Sequence, residues 1–124
     1  MADSENTQKL VVTLTHGAGD DKSTVAFTVA NAARSKGLDV AVFLSSDAVE
    51  LGRDGSCDFT QIRPFKPLDE LITGFIAAGG VIWVCSPCFQ HRGLKEEETV
   101  DGVIVTGAGP MLEWVAQGAS TLSF

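Results

Sequence analysis

The chain is short of positive charge. Nine Lys and Arg stand against sixteen Asp and Glu, a net charge of −7 at pH 7. Binding to nucleic acid without sequence preference rests on clustered Lys and Arg against phosphate, and the nine here are spread along the chain. The same shortage argues against docking on an anionic membrane surface. Long apolar runs are missing too: the longest are strand-sized, far below the roughly 20 residues of a membrane span. The opening MADSENTQKL is polar and acidic, where a signal peptide needs a basic end and an apolar stretch. A cytoplasmic protein is therefore expected. Cysteine is scarce and odd in number: Cys57, Cys85 and Cys88. An odd count argues against a disulfide framework and leaves either packing residues or reactive thiols. Internal repeats and low-complexity segments are absent.

What is present is one domain's worth of alternating strands and helices. The 124 residues, 44% of them hydrophobic, suffice for one core and not for two. Residues 1–8 read as a flexible tail and 9–124 as a single domain. LVVTLTH (10–16), DVAVFLSS (39–46), VIWVC (81–85), GVIVTG (102–107) and STLSF (120–124) read as strands. Between the first two, Val25, Val29, Ala32 and Ala33 share a helical face, with Asp21 or Ser23 as cap and Gly37 as stop. Leu68, Leu71, Ile72, Phe75 and Ile76 form a second amphipathic helix after Pro67, ended by Gly79 and Gly80. A last helix runs from Pro110 to Gln117 with Met111, Trp114 and Val115 inward. Ala48 to Leu51 suits a short helical turn, and the segment after Cys88 a short helix or ordered loop. Residues 52–67 are the least regular stretch. Apolar strands alternating with helices predict an α/β fold: a single three-layer α/β/α domain with a mostly parallel sheet of about five strands. Ligands of such sheets bind at the carboxyl ends of the strands. Three polar segments fall there: HGAGDD (16–21), Ser45-Ser46-Asp47, and Cys85-Ser86-Pro87-Cys88.

VCSPCFQHRGL (84–94) carries the strongest chemical signal. Cys85 closes a strand and precedes a segment that can begin a helix. A thiol there feels the helix dipole and free N–H groups, which favour the nucleophilic thiolate. Arg92 and His91 can add positive charge. Cys88, one turn on, can act as a resolving thiol; a pair of packing cysteines is the plain alternative. C-S-P-C is near the thioredoxin C-G-P-C, but here it follows the third strand and no later proline precedes a strand. Cys85, Cys88 and His91 also spell C-x-x-C-x-x-H, three ligands zinc accepts. A structural site wants a fourth, for which only Cys57 and His16 remain. No metal and no cofactor is expected. HGAGDD lacks the G-x-x-x-x-G-K-[ST] and G-x-G-x-x-G patterns, and its two aspartates would repel phosphate. Asp20 and Asp21 read as turn and helix-cap residues beside the site. His16 can assist proton transfer or simply be a packed or solvated histidine. KEEE (95–98) reads as a solvated face, and Cys57, in a polar loop, as a thiol of no assigned role.

CSPCFQHRGL resembles the C-x-x-C-x-x-x-R-G-[LIV] segment of the DsrE/DsrF-like proteins, including the YchN-type members. THGAGDD before an alanine-rich helix is similar to that family's first loop, and GLDVAVFLSSDAVEL to its second-strand segment, with Ala48 in place of the usual glycine. The resemblance implies a small three-layer subunit that forms homo-oligomers, often trimers or hexamers. It implies a role in sulfur relay, with sulfur carried as a persulfide on a cysteine seven residues before the arginine of R-G, which is Cys85. Arg92 then favours the anion and Cys88 resolves or protects the persulfide, with His16, Asp20, Asp21 and His91 in support. A sulfur-donor or acceptor protein is the implied partner, with neither nucleic acid nor membrane. The alternatives are a C-x-x-C dithiol redox module and a non-catalytic oligomeric binding subunit.

Overall fold

The computed structural model describes residues 7–124. The tail expected over residues 1–8 thus lies, through residue 6, outside the described residues. Gln8 is tied down, its carbonyl accepting from the Asp39 N–H. Five strands form one sheet: β1 (Lys9–Leu14), β2 (Asp39–Leu44), β3 (Val81–Cys85), β4 (Val103–Thr106) and β5 (Ser120–Ser123). All pairings are parallel, in the order β4-β3-β2-β1-β5. Four helices complete the domain: α1 (Asp21–Ser35), α2 (Leu68–Ala77), α3 (Ser86–His91) and α4 (Gly109–Ala116). A 3-10 segment, Ser46–Gly52, follows β2, and a shorter one, Glu96–Glu98, precedes β4.

The topology explains the layers. From β1 to β4 each strand is added on the same side of the last, so right-handed crossovers put α1, α2 and α3 on one face. The step from β4 to β5 runs back across the sheet and puts α4 on the other. The cores follow this division. Phe27 of α1, Phe75 of α2 and Phe89 of α3 pack with Leu10, Val12, Leu14, Val40, Val42 and Leu44. On the opposite face Met111 and Trp114 of α4 lie against Val11, Ala41, Phe43 and Trp83. The central strands are apolar on both sides because both sides are covered.

Three expectations are corrected. The buried stripe of α1 is Ser23, Thr24, Ala26, Phe27 and Ala30, while Val25 and Val29 are half-buried and Ala32 is exposed. An alanine-rich helix offers two plausible faces, and the large Phe27 decides between them by meeting Phe75 edge-on at 6.0 Å. The cap of α1 is Asp20, which accepts from the Lys22 N–H at 2.9 Å. Val115 points outward and is exposed. Polar ties reinforce the packing of α1 on α2. Asn31 Nδ2 donates to the carbonyls of Phe27 and Leu71. The Arg34 guanidinium donates to the carbonyls of Ala78 and Leu38, satisfying at Ala78 an acceptor at the end of α2. Gly79, at φ 92° and with Arg34 Nη2 3.1 Å from where a Cβ would sit, makes room for that guanidinium.

Candidate functional site

The carboxyl ends of β1, β2 and β3 lie side by side, so their three loops form one edge. The first loop is pinned by the buried Ser23, whose hydroxyl reaches the His16 and Gly17 carbonyls, each at 2.7 Å. Gly17 in turn lies against the second loop, where a Cβ would stand 3.6 Å from the Asp47 carbonyl oxygen. Asp47 Oδ1 accepts from Arg92 Nη2 at 2.8 Å, and Arg92 Nη1 donates to the Cys88 carbonyl at 3.3 Å. A continuous chain of contacts therefore runs from the His16 loop through residues 45–47 to α3.

Cys85 ends β3 and pairs in register with Thr106 at the end of β4. The chain leaves β3 toward the face bearing α3, and leaves β4 toward the face bearing α4. Cys85 is thus at the one place along this edge where neighbouring connections diverge, which is where open α/β sheets bind ligands.

Cys85 and Cys88 are both free and partly exposed. Burial pushes the Cys85 thiol up, and its hydrogen bond with the Cys88 sulfur adds to the rise, against a smaller pull from the Cys88 backbone N–H. Cys88 is held below the usual thiol value, first by the hydrogen bond from Cys85, then by the Ser46 backbone N–H and by the charge of Arg92. This reverses the expectation that the start of α3 makes Cys85 the thiolate. The helix is only six residues long, and the groups that favour an anion gather on its second cysteine instead. Arg92 acts from beside the pair, its guanidinium occupied by Asp47.

The supporting residues are only partly assembled. His16 engages its own loop, with Nδ1 3.4 Å from the Thr15 hydroxyl and Nε2 3.8 Å from Asp20. Asp21 and His91 are exposed. Cys57, expected in a polar loop, is buried; its thiol is pushed up by burial, as befits an unreactive packing residue. It lines a cavity of about 220 Å³ with Arg53, Asp54 and Asp69, and neither Cys85 nor Cys88 belongs to it. Among the described residues no three His, Cys, Asp or Glu side chains converge as metal ligands. No described helix is long and apolar enough to cross a membrane. Ser46 and Asp47 are the contributors that sequence reasoning left without a role; their position just past the second strand was the available signal.

A parallel α/β domain with a vicinal thiol pair at its topological switch point defines the class of protein. The DsrE/DsrF-like family model matches residues 8–124, and the chain belongs to that family. An uncharacterized protein of Methanocaldococcus jannaschii is 27% identical over 88% of this chain, which spans 40% of that protein's length. One of Methanopyrus kandleri is 28% identical over 86% of the chain and 84% of its own length. In fold the chain is similar to the YchN protein from E. coli, with a TM-score of 0.79 at 22% identity over 95% of this chain and 99% of that one. A protein of unknown function from Bacteroides thetaiotaomicron matches with a TM-score of 0.72 at 21% identity, over the whole of both chains.

Proposed function

We propose that the protein is a thiol-based sulfur carrier, sulfurtransferase-like in its chemistry, whose working groups are Cys85 and Cys88. The observation that carries this reading is the pair of free, partly exposed thiols, Cys85 and Cys88, at the point where the β3 and β4 connections diverge. Family membership supports sulfur relay as its setting.

The opposite shifts of the two thiols give each sulfur a part. In loading, Cys88 takes the Cys85 proton. The Cys85 sulfur attacks the outer sulfur of a donor persulfide R–S–SH, the donor S–S bond breaks, R–S⁻ leaves, and Cys85 holds the persulfide. In release, Cys88 gives that proton up to solvent, and its thiolate attacks the Cys85 sulfur and expels HS⁻. A Cys85–Cys88 disulfide remains, and an external thiol reductant must reopen it. Lowering the Cys88 thiol suits it to both steps. The plain dithiol redox module differs in forming the disulfide without taking up sulfur.

We also place the carrier in a homo-oligomer in the cytoplasm. Three free cysteines support a reducing compartment. Ile104, Leu112 and Val115 stand exposed on β4 and α4, apolar groups that a second copy would cover. A donor or acceptor protein is the remaining partner of this reading.

The test is sulfide release. The reduced protein, given a small persulfide donor, is expected to liberate sulfide while its Cys85 and Cys88 thiols disappear into a disulfide. The Cys88→Ser variant should liberate none beyond the donor's own decay. Release unaffected by that substitution would overturn the assignment.

A further inference from the structure

A groove of about 470 Å³ lies between α1, α2 and the loop that leads into α2. Small-molecule sites span about 300–1,000 Å³, so the groove is of ligand size. No residue of the thiol edge lines it. Its lining includes Gly74, inside α2, where glycine is the least favourable residue after proline. Neither usual reason for a glycine applies. Gly74 is not among the glycines with positive φ, and an added Cβ would meet nothing within 4 Å. The space left open is part of the groove. Phe65 supplies an aromatic wall, half-buried and placed by a turn in which its N–H donates to the Ile62 carbonyl at 2.8 Å. Leu71 adds apolar surface from α2.

The polar lining is of mixed sign. Lys66 and Glu70 carry opposite charges, and among the described residues neither side chain has an ion pair or hydrogen bond, with each other or with any third group. Asn31 has its amide nitrogen committed to the Phe27 and Leu71 carbonyls, at 2.8 and 3.0 Å. That fixes the side chain and leaves Oδ1 as an acceptor. Ser35, one turn further along α1, offers a hydroxyl. We propose that the groove binds a small zwitterion, an α-amino acid with an apolar side chain. Its carboxylate faces the Lys66 ammonium and the Ser35 hydroxyl. Its ammonium faces the Glu70 carboxylate and Asn31 Oδ1, and its side chain fills the space over Gly74 against Phe65 and Leu71. A simple anion or cation would pair with one of the two charges and leave the other idle. The proposal stands apart from the thiol chemistry, and its test involves no sulfur.

The test is a titration of isotope-labelled protein with L-phenylalanine, followed by the backbone amide resonances. A ligand this small binds in the millimolar range, so the titration runs to about 20 mM. Saturable shifts at Asn31, Phe65 and Gly74 are expected. Gly74→Leu fills the space with a better helix former and should abolish them, while a thermal melt shows the variant folded. Lys66→Gln and Glu70→Gln, at exposed positions, should each weaken binding by about two- to fivefold. N-acetyl-L-phenylalanine and L-phenylalaninamide, each lacking one charge of the zwitterion, should lose a similar factor. No saturable shift by the end of the titration overturns the site. Shifts that persist in folded Gly74→Leu overturn its placement over Gly74. Capped ligands that bind as tightly as phenylalanine overturn the pairing of charges. If Gly74→Leu melts below assay temperature, the two charge variants and the two capped ligands decide the matter.

Discussion

Gly80, in the turn between α2 and β3, offers a sharp test of the packing that delivers Cys85 to its edge. Its N–H closes the turn onto the Phe75 carbonyl at 2.9 Å. A Cβ added there would come within 3.0 Å of three atoms at the end of the Phe75 ring. The ring has nowhere to go, being fully buried with Phe27 edge-on behind it at 6.0 Å. Overpacking of this kind costs about 1–3 kcal/mol, and a clash with three ring atoms belongs in the upper half of that range. Gly80→Ala is therefore expected to lose about 2–3 kcal/mol, near 8–12 °C in Tm for a chain of this length. Gly74→Ala is the control. Gly74 is exposed inside α2 with nothing within 4 Å of the new Cβ, so helix propensity alone predicts a gain of about 0.5–1 kcal/mol. Urea unfolding followed by the fluorescence of Trp83 and Trp114, which meet edge-on at 5.2 Å, measures both. Gly80→Ala within about 0.5 kcal/mol of wild type, the range of an unremarkable surface change, would refute the reasoning.

Two further outcomes follow from polar groups. The Thr24 hydroxyl is buried without a hydrogen-bond partner among the described residues, so Thr24→Val should raise stability by about 1 kcal/mol in the same unfolding experiment; a loss would mean that the hydroxyl is satisfied in solution. Asp20 is held below the ordinary carboxylate value, chiefly by its hydrogen bond from the Lys22 backbone N–H. A depressed carboxylate contributes stability above its unfolded value and loses it as pH falls through its folded one. The stability gap between wild type and Asp20→Ala should thus be full at pH 7, shrink below about pH 4 and close in stronger acid. A gap independent of pH would contradict the cap.

Much of the fold was legible because buried parallel strands are written as short β-branched runs. VIWVC matches β3 residue for residue, and the other strands differ from their expected limits by no more than two residues at either end. The three-layer arrangement followed from alternation alone. Strand order did not, since register and neighbours are set by which faces pack and not by any one segment. The face of α1 was misread because alanine and valine define a weak stripe, whereas the structure buries Ser23 and Thr24, whose polarity hid them. The burial of Cys57 was hidden for the converse reason: Asp, Arg and Ser around it read as solvent, yet the loop turns its thiol into the core. At the site, the spacing of Cys85, Cys88 and Arg92 revealed the pair and its neighbour. The thiol shifts come first from burial of Cys85 and from the pair itself, and only a further part of the Cys88 shift from the Ser46 N–H, some 40 residues away, which no local pattern carries.

Intact-protein mass after exposure of the reduced protein to a persulfide donor tests the central claim most directly, with Cys88→Ser as the trap and Cys85→Ser as the control. If Cys85 is the carrier and Cys88 its release partner, Cys88→Ser gains the mass of one sulfur and keeps it until a reductant is added, while Cys85→Ser retains none. Sulfur retained in Cys85→Ser and absent from Cys88→Ser would exchange the two roles. Loss of two hydrogens from the wild type, with no sulfur gained in either variant, would contradict sulfur carriage and leave a dithiol redox module.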